Sequence, residues 1–127
     1  MMNMNKQLLI GAALLAGLAG CASDKTPATA DVAVSREAVS AATAAGAADL
    51  APAEMTSARE KLMRANQALA AKDYKTAQDL ATQASADAQL AQSKANSAKA
   101  TAASDELQQN IRLLREELAR ANANAQQ

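Results

Sequence analysis

Few residues in this 127-residue chain have side chains that could do covalent or acid–base chemistry. There is no histidine, so no imidazole serves as base or metal ligand, and the one thiol is Cys21. The carboxylates are dispersed. Asp79 and Asp87 lie eight positions apart, about two turns of a helix, on a face shared with Lys and Gln. Glu116 and Glu117 are adjacent and diverge on a helix. Acid–base catalysis needs carboxylates held together in a dry cleft, which neither spacing provides. Gly11 and Gly46 form no phosphate-binding loop. Tyr74, the only aromatic residue, reads as space-filling near a turn. The chain is therefore expected not to be an enzyme and to carry no metal or dissociable cofactor. What remains is the sulfur of Cys21, which has no partner for an internal disulfide but keeps its nucleophilicity.

The setting of that cysteine points to its use. Residues 1–20 read MMNMNKQLLIGAALLAGLAG. A short polar start with Lys6 precedes an apolar run over residues 8–18. About eleven residues cannot span a ~30 Å bilayer, which takes about 20, but that is the length of a signal-peptide core. Leu18-Ala19-Gly20-Cys21 then resembles the lipobox of bacterial lipoproteins at all four positions. The resemblance implies recognition of Leu18, Ala19 and Gly20 by a signal peptidase and cleavage before Cys21. It also implies diacylglycerol on the Cys21 sulfur and an acyl chain on its new amine, a covalent lipid rather than a cofactor. Each buried CH₂ contributes ~0.8 kcal/mol, so two or three chains hold firmly to a membrane where one does not. Ala22 and Ser23 follow the cysteine and the first Asp is Asp24, which by the same resemblance fits the outer membrane, periplasmic side.

The elements that would carry such an anchor are helical. Alanine supplies 37 residues, and the chain has neither Phe nor Trp. Alanine is the best helix former, yet its methyl contributes only ~0.8 kcal/mol on burial against ~1.5–3 for a Leu. A thin all-α fold follows: an antiparallel helical hairpin or short bundle whose long alanine-rich third helix extends into a coiled-coil-like arm. Residues 21–31, the lipidated Cys21 and a polar stretch with Pro27, read as a flexible tether. Helical patterning begins near Val32, with Val32, Ser35, Val39 and Ala42 on one face, and Gly46 is placed to end that helix. Pro52 suits the first position of the next helix, with Glu54 in its first turn and Leu50 placed to staple onto Met55. Met55, Ala58, Leu62, Ala65 and Leu69 make a seam spaced 3, 4, 3, 4. Asp73 is the expected N-cap of the third helix.

From Tyr74 to about Ala121 there is no Gly or Pro. Ala77, Ala81, Ala84, Ala88, Ala91, Ala95, Ala98 and Ala102 alternate spacings of 4 and 3. Such a seam lets helices approach at the close end of the 8–10 Å range. The step from Ala102 to Leu107 is five, and Leu107, Ile111, Leu114 and Leu118 form a second, larger stripe turned to another side. The domains read as 1–20 signal, 21–31 tether, 32–103 helical domain and 104–127 amphipathic arm, with the final ANANAQQ disordered.

Residues 31–103 resemble a family of small bacterial envelope proteins known as domain of unknown function 4398. The features that carry this are Leu50-Ala51-Pro52-x-Glu54, Ala58-Arg59-x-Lys61-Leu62, Asp73-Tyr74-x-x-Ala77 and Ala84-x-x-Asp87-Ala88-x-Leu90-Ala91. The resemblance implies an envelope setting and carries over no functional residues. In some relatives such a domain precedes an OmpA-like peptidoglycan-binding domain, for which no stretch of this sequence is expected to provide. Charge is balanced at 13 basic against 13 acidic residues, with no polybasic patch, so nucleic acid is not expected as a partner.

The expected role is a lipid-anchored structural or adaptor protein, a helical spacer and docking module in the periplasm. The alternative is an accessory binding subunit of an envelope enzyme or transport machine. In either case the expected partners are the membrane through the lipid and, at Leu107, Ile111, Leu114 and Leu118, a second copy or another envelope protein. Noncovalent wall contact is compatible with both. Covalent attachment is not expected, because the chain ends in Gln126-Gln127 rather than Lys.

Overall fold

The computed structural model describes residues 25–127, and every element among them is helical. Leu18, Ala19, Gly20 and Cys21, with the rest of the expected signal, lie outside the described residues. Helix α1 spans Lys25–Ala44, the single turn α2 spans Ala47–Leu50, α3 spans Pro52–Ala70 and α4 spans Tyr74–Ala125.

The first helix begins earlier than its patterning suggests. Residues 25–31, expected as tether, are its first two turns. Pro27 sits in the first turn, where a missing N–H leaves no bond unmade. Ala28 is fully buried one turn before Val32. Only residues 21–24 of the expected tether remain untested, outside the described part. The same face continues through Ser35, whose hydroxyl donates to the Val32 carbonyl at 3.0 Å and so is satisfied inside an apolar interface.

The connections obey their expected chemistry. Gly46 has φ of 75°, the left-handed conformation that ends α1, and its N–H donates to the Thr43 carbonyl at 2.9 Å. Pro52 opens α3, with Glu54 in the first turn. Leu50 stays exposed and outside the cluster that buries Met55, so the turn is locked by buried Ala47 and Ala51 instead of a Leu50 staple. At the end of α3, Lys72 takes φ of 62°. Its N–H donates to Leu69 and that of Asp73 to Ala68, the paired bonds of a Schellman turn. Asp73 then caps α4 by accepting from the Thr76 N–H at 3.2 Å.

The three long helices pack through two alanine-dominated clusters. One joins Ala42 of α1 with Ala47, Ala51, Met55 and Ala58, and with Ala88, Ala91 and Ala95 of α4. The other joins Ala28 and Val32 of α1 with Ala65 of α3 and Ala77, Leu80 and Ala81 of α4; Leu62, Leu69 and Tyr74 pack against it. Helix α3 therefore runs antiparallel to both neighbours, and α1 runs parallel to α4. The predicted seam is the observed one from Ala77 to Ala95. Ala98 and Ala102 continue it in sequence but are exposed, because α1 and α3 have ended. Lys99 closes this end of the bundle, its side chain lying within 3.6 Å of where a Cβ on Gly46 would stand. Beyond it α4 continues alone to Ala125. Residues 121–125, expected to be disordered, are its last helical turn and more. Their alanines and asparagines offer nothing to stop propagation, and propagation fixes one residue per bond gained.

Candidate functional site

The arm of α4 is the part of the described molecule with no partner. No residue from 98 to 127 is buried or half-buried. Leu107, Ile111, Leu114 and Leu118 are 39–64% exposed. Their spacings of 4, 3 and 4 keep them within one narrow sector of the helix. Five residues beyond Ala102 is about 140° past a full turn, so this stripe points well away from the face that α1 and α3 cover. Leu113, also exposed, lies on the opposite side, in line with the buried alanine seam. Glu116 and Arg120 pair on the back of the arm at 3.8 Å, both well exposed.

The base that holds the arm is clipped together by polar contacts. Asp87 of α4 accepts from Lys61 Nζ at 2.6 Å and from Ser57 Oγ at 2.7 Å, both on α3. The Lys61 and Ser57 hydrogen bonds hold its carboxyl below the ordinary carboxylate range, against a smaller opposing effect of burial. Glu54 pairs with Lys94, and that hydrogen bond, with one from its own backbone, lowers the Glu54 pKa likewise. The residue numbers of these two ion pairs both sum to 148, so they share one antiparallel register of α3 against α4. Across the other interface Arg36 donates to Asn66 at 3.0 Å, tying α1 to α3. These cross-links were not singled out from sequence, because the register of α3 against α4 is set by tertiary packing. Asp79, by contrast, pairs only with Lys75 along its own helix at 3.2 Å.

Chemistry elsewhere is sparse. The groove between α1 and α4, of about 340 Å³, is lined by Asp31, Val34, Thr82, Ser85 and Gln89. It brings one carboxylate together with hydroxyls and an amide. Asp79 and Asp87 are not brought together: one is exposed on α4 and the other is bound to α3. Among the described residues, no three of His, Cys, Asp or Glu converge as a metal site. No described helix is long and apolar enough to cross a membrane.

The family described as domain of unknown function (DUF4398) matches residues 30–107. That is more than half of the chain, which therefore belongs to this family. The match takes in the three-helix base from Ala30 onward and ends at Leu107, so the first residues of α1 and most of the arm lie beyond it. No curated protein and no solved structure matches the chain.

Proposed function

We propose that this member of the DUF4398 family is a lipid-anchored structural or adaptor protein of the bacterial envelope. It holds a docking arm at a set distance from the membrane to which Cys21 is attached. The observation that carries this is the parallel course of α1 and α4. The start of α1, four residues after Cys21, is level with the start of α4. The arm therefore leaves from the opposite end of the base. At 1.5 Å per residue, the 52 residues of α4 set the tip ~78 Å from the anchored end. A rod with an anchor at one end and an apolar stripe at the other is a spacer by construction. The base gives it stiffness, through close alanine packing and the Lys61–Asp87 and Glu54–Lys94 clips. The lipobox resemblance supplies the anchor, on the outer membrane's periplasmic face.

The test is metabolic labelling with palmitate in cells making the full chain. Incorporation, and its loss in Cys21→Ser with residues 1–20 left uncleaved, are the expected results. A parent chain that takes up no label, or a Cys21→Ser variant that takes it up as the parent does, would remove the anchor from the proposal. Crosslinking at the arm in intact cells then distinguishes an adaptor from an accessory subunit of an enzyme or transport machine, by whether one such complex is recovered.

A further inference from the structure

We infer that the occupant of the arm's stripe is a second copy of this chain, packed parallel and in register. This rests on the arm being a docking element, as proposed above, but not on the lipid anchor. Three features of the arm support it. First, the apolar sector is longer than the four large residues. Ala100, Ala103, Leu107, Ile111, Leu114, Leu118, Ala121 and Ala125 succeed one another at 3, 4, 4, 3, 4, 3 and 4. All are exposed and all fall within about 80° of the helix circumference. That is a seam of ~38 Å with its bulky residues at the centre and alanines at both ends, the length of a short two-stranded coiled coil.

Second, the charges flanking the seam select an orientation. Arg115 and Gln108 line one flank, and Glu117 and Asn110 line the other. In a parallel pair related by a two-fold axis, each flank faces the opposite flank of the partner. Arg115 then stands beside the second copy's Glu117, two residues or ~3 Å different in height. In an antiparallel pair with 118 level with 107, like flanks meet, so Arg115 stands near the second copy's Gln108 and the Arg115–Glu117 pairing is lost. Third, the bundle does not obstruct a parallel pair. The stripe is turned about 140° from the alanine seam, so α1 and α3 of both copies lie away from the shared axis.

Full-length Cys21→Ser protein has no thiol, so an introduced cysteine reports geometry alone. Sedimentation equilibrium of this protein in mild detergent should give a dimer. Leu114→Asp should weaken association by about 100-fold or more, since it places a carboxylate in the seam. Leu113→Asp, on the other side of the same turn, should leave it within about 3-fold. Because Leu114 is exposed in the single chain, circular dichroism should show the base still folded in both variants. Leu118→Cys should oxidise to a disulfide-linked dimer, because in a parallel pair position 118 meets itself within the ~7 Å Cα limit. In the antiparallel register it would lie level with position 107, ~16 Å away along the axis. A monomer at ~100 µM, equal sensitivity at Leu113 and Leu114, or crosslinking only when Leu107→Cys and Leu118→Cys chains are mixed would each overturn the inference. Failure here leaves the palmitate result standing, and failure there leaves this one standing.

Discussion

If small side chains hold the base together, enlarging one should be costly only where helices meet. Ala88 and Ala98 are a fitting pair for this. Both sit on α4, ten residues apart, and both belong to the same 4,3 seam. Ala88 is fully buried between α1 and α3, and Ala98 is exposed just past their ends. Leucine and alanine differ little in helix propensity, so α4 itself is almost indifferent to either change. At Ala88 the three added carbons have no space, and α1 or α3 must move outward. Overpacking of this kind costs about 1–3 kcal/mol. For a domain of this size, each kcal/mol moves the melting midpoint by about 4–8 °C. Ala88→Leu should thus melt roughly 5–20 °C below the parent chain, and Ala98→Leu within about 3 °C of it. Thermal unfolding followed by circular dichroism at 222 nm reads both. Equal midpoints for the two variants would mean that the seam is not closely packed, and the account of the fold would fail.

Other perturbations probe the joints and clips. Gly46→Ala should cost about 1–2 kcal/mol through its positive φ alone, because the added methyl meets only the Lys99 side chain at 3.6 Å; urea unfolding measures it. Met55→Ala removes the largest buried side chain, 1% exposed, and should cost about 2–5 kcal/mol, with a visible fall in urea midpoint. Asp87→Asn strips the charge from the Ser57–Lys61 clip and should cost about 1 kcal/mol, less in high salt. The pH dependence follows from the same clips. The carboxyls of Asp87, Glu54 and Asp73 are all lowered in the folded chain from ordinary values of 3.8, 4.5 and 3.8. Their contribution is present in full above those ordinary values and is lost as pH falls through the lowered ones. Stability should be level from about pH 5 to 8 and fall below pH 4, with a shallower fall in Asp87→Asn.

What could be read from the sequence divides along physical lines. The breaks at Gly46, Pro52 and Asp73 were legible because each residue type answers a specific backbone need, and each is used as expected. The Ala77-to-Ala95 seam was legible because periodicity survives even when the side chain is a single methyl. Pro27 misled, since proline signals a loop and the first turn of a helix equally well, and only the tertiary burial of Ala28 decides between them. The final alanines and asparagines misled for a similar reason, as polar composition resembles a tail where nothing breaks the helix. Lys72 in the left-handed region was not legible, because glycine is the residue that announces such a turn. Asp87 was read only as one of the dispersed carboxylates, on a helix face shared with Lys and Gln. Its role depends on a residue 26 positions away, and on a register that local patterning does not fix. Of the candidate site, the stripe and its exposure were foreseen, while the fate of Cys21 belongs to residues outside the described part.

The arm remains the least economical part of the molecule taken alone. An isolated helix gains stability mainly from tertiary packing of one face, and lengths below ~12–15 residues are marginal in water. Residues 98–125 gain no such packing from the other described residues. They are sustained by propagation from a base whose own core is mostly alanine, and which has little stability to lend. A solvated arm would need none of its large apolar residues; Gln, Lys and Glu propagate a helix about as well as Leu. Yet four of the nine exposed large hydrophobics of the described chain stand on a single stripe of this arm, and each lies beyond the reach of α1 and α3. Helix propensity does not account for that arrangement, whereas the proposed burial against a second copy would. The helicity of the arm should accordingly rise with protein concentration, while that of the base stays fixed. Hydrogen exchange at residues 107–118 against residues 80–95, at ~1 and ~100 µM, separates the two. An arm that stays unprotected at both concentrations would overturn the second copy as occupant and assign the stripe to a different protein.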